Sequence, residues 1–216
     1  MRAGLVFTLL LALGVAPMVA VADDRPVPAL FEFTYTNPTG GITEIPDYSL
    51  QWFPLEQTLM LLDPSDPITN LEFEITGLTH GAPMDLNFIL LDPNGTGVDP
   101  IGSGIELMDD SGWFGDGFAL EDVTLLFADK GIELPHNDVD AIQPFPETIY
   151  RPDGPGMFSD FYGRSIGTAP WYLVVIDDAV RDEGSFQSAT LRGVPEPVTL
   201  TLLALGALVT LRRRRW

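Results

Sequence analysis

Apolar and polar residues alternate with a period of two along run after run of this chain, and prolines and glycines stand between the runs. Phe31, Phe33 and Tyr35 alternate with Glu32 and Thr34, and Leu71, Phe73 and Ile75 alternate with Glu72, Glu74 and Thr76. Leu86, Phe88 and Leu90 form a third set, and Val123, Leu125 and Phe127 a fourth. Successive side chains of an extended strand point to opposite faces, so each run predicts a strand with one face in a core. Trp171 to Ile176 is apolar throughout, the pattern of a strand buried on both faces. Asp-Pro, Asn-Gly and Asp-Gly pairs between the runs close turns. The chain's 19 prolines and 21 glycines argue against long helices in its body. The expectation is an all-β protein, a jelly-roll-like β-sandwich. Gly95 to Gly117 and Glu133 to Asp160 break the pattern and predict long loops, with one short strand or helical turn each.

Both ends of the 216 residues read as addresses rather than fold. Arg2 precedes an apolar run from Leu5 to Ala16, the length of a signal-peptide core and too short to span a bilayer. Ala20-Val21-Ala22 offers a cleavage site before Asp23. Residues 1–22 are therefore expected to be a signal peptide, with an N-terminal membrane anchor as the plainer alternative. Residues 23–193 form the body, roughly 170 residues, enough for one domain with its own core.

Charge and cysteine content narrow the function. Of 11 basic and 31 acidic residues, Arg2, Arg212 to Arg215 and Glu196 lie in the end segments. The body keeps 6 basic and 30 acidic residues, a net charge of about −24. Such a surface repels nucleic acid, whose binding rests on Lys and Arg contacts to phosphate. It suits cations, above all Ca²⁺, which takes carboxylate and carbonyl oxygens; a soluble acidic exported protein explains the charge equally well. There is no cysteine, which excludes a disulfide framework, a thiolate zinc site and a cysteine nucleophile.

The last segment, residues 194–216, carries three features in order. Pro195, Glu196 and Pro197 form a triplet, Val198 to Leu211 is an apolar stretch, and Arg212, Arg213, Arg214 and Arg215 form a basic stop. As a helix the 14 apolar residues would reach about 21 Å, short for a hydrocarbon core of about 30 Å. The arginines would hold their end on the cytoplasmic side. This segment resembles the PEP-CTERM sorting signal. The resemblance implies a short C-terminal hydrophobic helix paused in the inner membrane, an exosortase as processing partner, and a Gram-negative-type source, often one that makes exopolysaccharide. An ordinary tail anchor is the alternative.

A second resemblance covers residues 68–192. Ile68 to Thr96 reads ITNLEFEITGLTHGAPMDLNFILLDPNGT, with His80 in a loop, Asp85-Leu86 opening a strand and Pro93-Asn94-Gly95-Thr96 as a turn. Phe161-Tyr162-Gly163, Gly167, Trp171-Tyr172-Leu173, Asp177 and Asp182 to Phe186 follow. Both stretches are similar to the P domain that follows the catalytic domain of subtilisin-like proprotein convertases. The resemblance implies a jelly-roll sandwich, and some members bind Ca²⁺. Ala189 stands where many members have Trp, and the stretch from Asp99 to Asp160 is longer than the family's usual link. No subtilisin-type domain precedes the match in this chain, so protease activity is not carried over. Residues before Ile68 are left to supply extra strands.

Few residues suggest chemistry. Gly163-Arg164-Ser165-Ile166-Gly167 spells G-x-S-x-G, but a nucleophile elbow needs a helix after it, and here Pro170 and an apolar strand follow. His80 and His136 lack metal-ligand spacing; His80 is expected to shape a loop or bond locally. Asp177, Asp178, Asp182 and Glu183, on a predicted hairpin between two strands, are the first cation candidates, because crowded carboxylates repel unless a cation or water relieves them. Asp109, Asp110 and Asp116 form a second group. Neither follows the D-x-D-x-D-G pattern, so Ca²⁺ and a solvated acidic loop both stand. Asn94-Gly95-Thr96 is a glycosylation sequon by letter, and a tight turn accounts for it as well.

These readings converge on an exported, non-enzymatic cell-surface or extracellular-matrix protein. It would insert transiently in the inner membrane, with an exosortase and extracellular polysaccharide as partners and Ca²⁺ as the one suggested cofactor. The alternative is a secreted carbohydrate-active enzyme or hydrolase.

Overall fold

The computed structural model describes residues 29–93, 104–109, 119–134, 149–154, 156–180 and 183–193. The signal peptide, Pro195 to Pro197, Arg212 to Arg215, His136, Asp110, Asp116, Asp182 and the sequon lie outside them.

The alternating runs form strands, and the strands make a mostly antiparallel sandwich. They are β1 (Phe31–Thr36), β2 (Thr43–Ile45), β3 (Ser49–Met60), β4 (Leu71–His80), β5 (Leu86–Leu91), β6 (Ile105–Asp109), β7 (Leu120–Ile132), β8 (Ile149–Tyr150), β9 (Trp171–Asp177), β10 (Gly184–Phe186) and β11 (Ser188–Gly193). In one sheet, β4 is flanked by β7 on one side and by β10 and β11 end to end on the other. Beyond these, β2 pairs with β10 and β1 with β11, and β8 lies parallel to β7. The second sheet runs β3-β9-β5-β6. β3 belongs to both sheets, since Ser49 to Leu55 pair with β9 while residues from Glu56 to Met60 pair with β1. The switch falls next to Pro54, which cannot donate to a ladder.

The core lies between the sheets and is aromatic. Phe33, Phe73, Phe88, Phe127, Phe158, Phe161, Trp171 and Phe186 are all buried there. Phe53 and Phe186 meet edge to face at 5.2 Å, as do Phe161 and Trp171 at 5.0 Å; such pairs add about 1 kcal/mol to the burial itself. β9 is buried on both faces, as its unbroken apolar run implies. Val174 is sealed on the face opposite the main core, with Ile89 and Leu91 beside it. The residues before Ile68 supply β1, β2 and β3. The two irregular stretches contain the short strands β6 and β8 and a 3-10 turn at Phe158–Phe161.

One irregularity decides which side chains the end of β4 turns inward. Leu71, Phe73 and Ile75 face the core at odd positions, but beyond Gly77 the inward residues are Leu78 and His80. Gly77 has φ +68°, a conformation that glycine takes without a steric penalty, and pairing with β7 shifts register between Ile75 and Leu78. This is a β-bulge, which inserts one residue and inverts the phase. It faces Gln187, between β10 and β11, whose backbone N–H donates to the Thr76 carbonyl at 2.8 Å.

Candidate functional site

The inverted phase turns His80 into the interior at the end of β4. Asp177, the last residue of β9, faces it from the other sheet, and both side chains are fully buried. His80 Nδ1 accepts from the Ala82 N–H at 3.1 Å, so Nε2 carries the ring proton and donates to Asp177 Oδ2 at 3.1 Å. Asp177 Oδ1 accepts from the Ala179 N–H at 3.1 Å. His80 therefore does bond locally, but it ends strand β4 rather than standing in a loop, and its principal partner lies 97 residues away. On β2 and β3, Thr43 Oγ1, Ser49 Oγ and Gln51 Oε1 are buried without a hydrogen-bond partner. Ser49 lies directly opposite Asp177 across the β3–β9 ladder. Gly184, on β10, is paired with His80, and a Cβ there would fall on the imidazole.

The predicted hairpin for Asp177, Asp178, Asp182 and Glu183 is not a hairpin. β9 already has β3 and β5 on its two edges, so no edge is left for β10, which pairs with β2 and β4 in the other sheet. The connection crosses between sheets. It leaves Asp178 and Glu183 exposed and Asp177 buried, with both oxygens engaged. Among the described residues no three histidine or acidic side chains are placed to hold one metal ion. Beside the crossing lies an open cleft of about 260 Å³, lined by Ile42, Glu44, Pro46, Thr79, Glu183 and Ser185. Two carboxylates at its rim suit a cationic group. Asp109, of the second acidic group, accepts from Asn87 Nδ2 at 2.6 Å.

Ser165 stands at the other end of the molecule. It is exposed and bridges to Pro67 in the β3–β4 loop. The length of β4, about 30 Å, separates that end from His80. A 3-10 turn precedes it and β9 follows, with no helix. Arg164 of the same motif is a structural tie. Its guanidinium donates to the buried Asp92 at 2.9 Å and lies 5.0 Å from the centre of the Phe161 ring. Arg151 and Arg192 are likewise spent on Glu133 and on Glu74. Glu72 lies 3.7 Å from Arg192, yet its carboxyl is pushed above the ordinary value by burial, with Arg192 opposing and Glu74 adding to the shift. Burial also pushes the Tyr150 phenol up to about 12.

Fold and site thus define an all-β, mostly antiparallel sandwich braced by an inter-sheet His–Asp bond. No family model matches the chain, and no curated protein matches it. Among solved structures it is similar to a serine protease of Aeromonas sobria, at 16% identity and a TM-score of 0.38. It is also similar to the complex of the Aeromonas sobria serine protease with the chaperone ORF2, at 15% identity and a TM-score of 0.36. Each likeness covers 80% of this chain and 28% of the other. The sequon, Asp182 and the sorting triplet, which the sequence singles out, are outside the described residues. The His80–Asp177 pair is what sequence reasoning missed. Its one local signal is Gly77, three residues before His80.

Proposed function

We propose that the chain is an exported, non-catalytic surface or matrix protein, a binding or structural sandwich that an exosortase releases at Pro195-Glu196-Pro197. The tail carries this reading, because triplet, apolar stretch and arginines follow in the order such processing needs. The placement of two residues supports its non-catalytic part. The serine of the G-x-S-x-G letters is exposed at one end of β4, and His80 is buried at the other with both ring nitrogens engaged. The P-domain resemblance over residues 68–192 fits the same reading, with extracellular polysaccharide as the partner and Ca²⁺ beside Asp178, Asp182 and Glu183 as the cofactor. The test is fractionation with C-terminal mass spectrometry in a host that has an exosortase. The body should end near the triplet, and Pro195→Ala with Pro197→Ala should leave uncut precursor in the membrane. A mature surface form that keeps Trp216 would reduce the tail to an anchor.

A further inference from the structure

The last residue of β11, Gly193, is fixed on both sides. It pairs with Phe31 of β1 and Leu71 of β4, and its carbonyl accepts from the Leu30 N–H at 2.8 Å. The Leu30 carbonyl in turn accepts from the Leu61 N–H at 2.8 Å. Two ladder steps, about 10 Å, therefore separate Gly193 from Leu61, a leucine that is 66% exposed. Only residues 194 to 197 lie between Gly193 and the apolar stretch that begins at Val198. Whatever their conformation, five Cα steps reach at most roughly 18 Å. A bilayer's headgroup layer takes up roughly 6 Å of that.

We propose that in the uncut chain the sandwich stands end-on to the membrane, with the Gly193–Leu61 end facing the lipid headgroups across about 10 Å and the Asp177–Glu183 crossing pointing away. The proposal rests on the membrane insertion of Val198 to Leu211. β4 runs from Leu71, beside Gly193, to His80, beside Gly184. It therefore carries the acidic crossing and its cleft about 30 Å farther out. The body reaches the membrane by its tether and not by attraction. Its net charge of about −24 opposes anionic lipid, and Asp63 and Asp66 lie in the loop that follows Leu61. At a gap of about 10 Å, close to one Debye length at physiological salt, that repulsion favours departure once the tether is cut.

The absence of native cysteine makes single labelling direct. Leu61→Cys and Val180→Cys, the latter at a residue 62% exposed at the far end, would each carry a fluorophore in the full chain. The chains are reconstituted in phosphatidylethanolamine–phosphatidylglycerol vesicles containing headgroup-nitroxide lipid. Quenching at position 61 should exceed quenching at position 180 several-fold. A flexible Gly-Ser insert of about 12 residues after Gly193, with a mean reach of roughly 19 Å, should remove most of the difference. Equal quenching at both positions in chains that float with the vesicles overturns the orientation alone. Failure to float removes the tether, and with it the sorting function as well. Cutting the chain before Val198 with an engineered protease site should release the body at low salt; retention on the vesicle would mean that the end binds lipid directly and would overturn the repulsion.

Discussion

His80 at the end of β4 and Asp177 at the end of β9 join the two sheets by a 3.1 Å hydrogen bond that no solvent reaches. The bond replaces apolar packing at one end of the sandwich, where β2, β10 and the crossing from β9 converge. Each partner is costly without the other, because a buried polar group left unpaired bears its full desolvation penalty.

Removing either side chain should therefore destabilise the fold strongly. Asp177→Ala is expected to cost about 3 kcal/mol, and His80→Ala a similar amount. The double variant should cost much less than their sum, since it leaves neither group orphaned. Urea unfolding of the four proteins checks this. Additive losses would mean that the bond contributes nothing beyond packing.

Two glycines shape the same end and should resist substitution. A Cβ at Gly184 meets the His80 ring and, at 2.8 Å, the Thr79 carbonyl oxygen. Gly184→Ala should lower stability by about 2 kcal/mol through overpacking. Gly77→Ala forces a side chain into φ +68° against Gln187, at a cost of about 1 kcal/mol. If that change also relaxes the bulge, His80 leaves the interior and its ring protons gain fast exchange with water, which NMR would detect.

Glu72 gives a pH dependence with a definite sign. Burial raises its carboxyl above the ordinary 4.5, so the folded state favours the protonated form. The stability it contributes is complete below 4.5 and is lost as pH rises through the raised value. Glu72→Gln should remove that loss and raise stability at neutral pH, while Glu74 keeps its ion pair with Arg192. Urea midpoints from about pH 4 to about pH 7 should show a flatter profile in the variant. An unchanged profile would assign the slope to other carboxylates.

Calcium should stabilise the body through the crossing between β9 and β10. At 100 times its Kd a bound ion adds about 2.7 kcal/mol, read as a rise in melting temperature that a chelator reverses. Asp178→Ala with Asp182→Ala should abolish the rise. Asp177 is a poor ligand because His80 and the Ala179 N–H already occupy its oxygens. No rise in the unaltered protein would leave a solvated acidic loop.

The sequence by itself determined the strands that have one wet face or none. Phe31 to Tyr35, Leu71 to Ile75 and the run from Trp171 carry their burial in their own spacing, because a strand's two faces are its odd and even residues. That local rule also made the all-β class legible. It could not find β3, where Pro54 and the exposed Leu50 and Trp52 blur the alternation and one strand serves two sheets. Nor could it see that Gly77 inverts the phase of β4, since a bulge is set by the strands paired beside it. The His80–Asp177 bond and the crossing at Asp178 were decided by tertiary structure alone. Both depend on which strand lies beside which, and β9 had no edge left for the hairpin that its sequence neighbours suggested. A hydrogen bond between residues 97 positions apart leaves no period and no spacing in the chain to read.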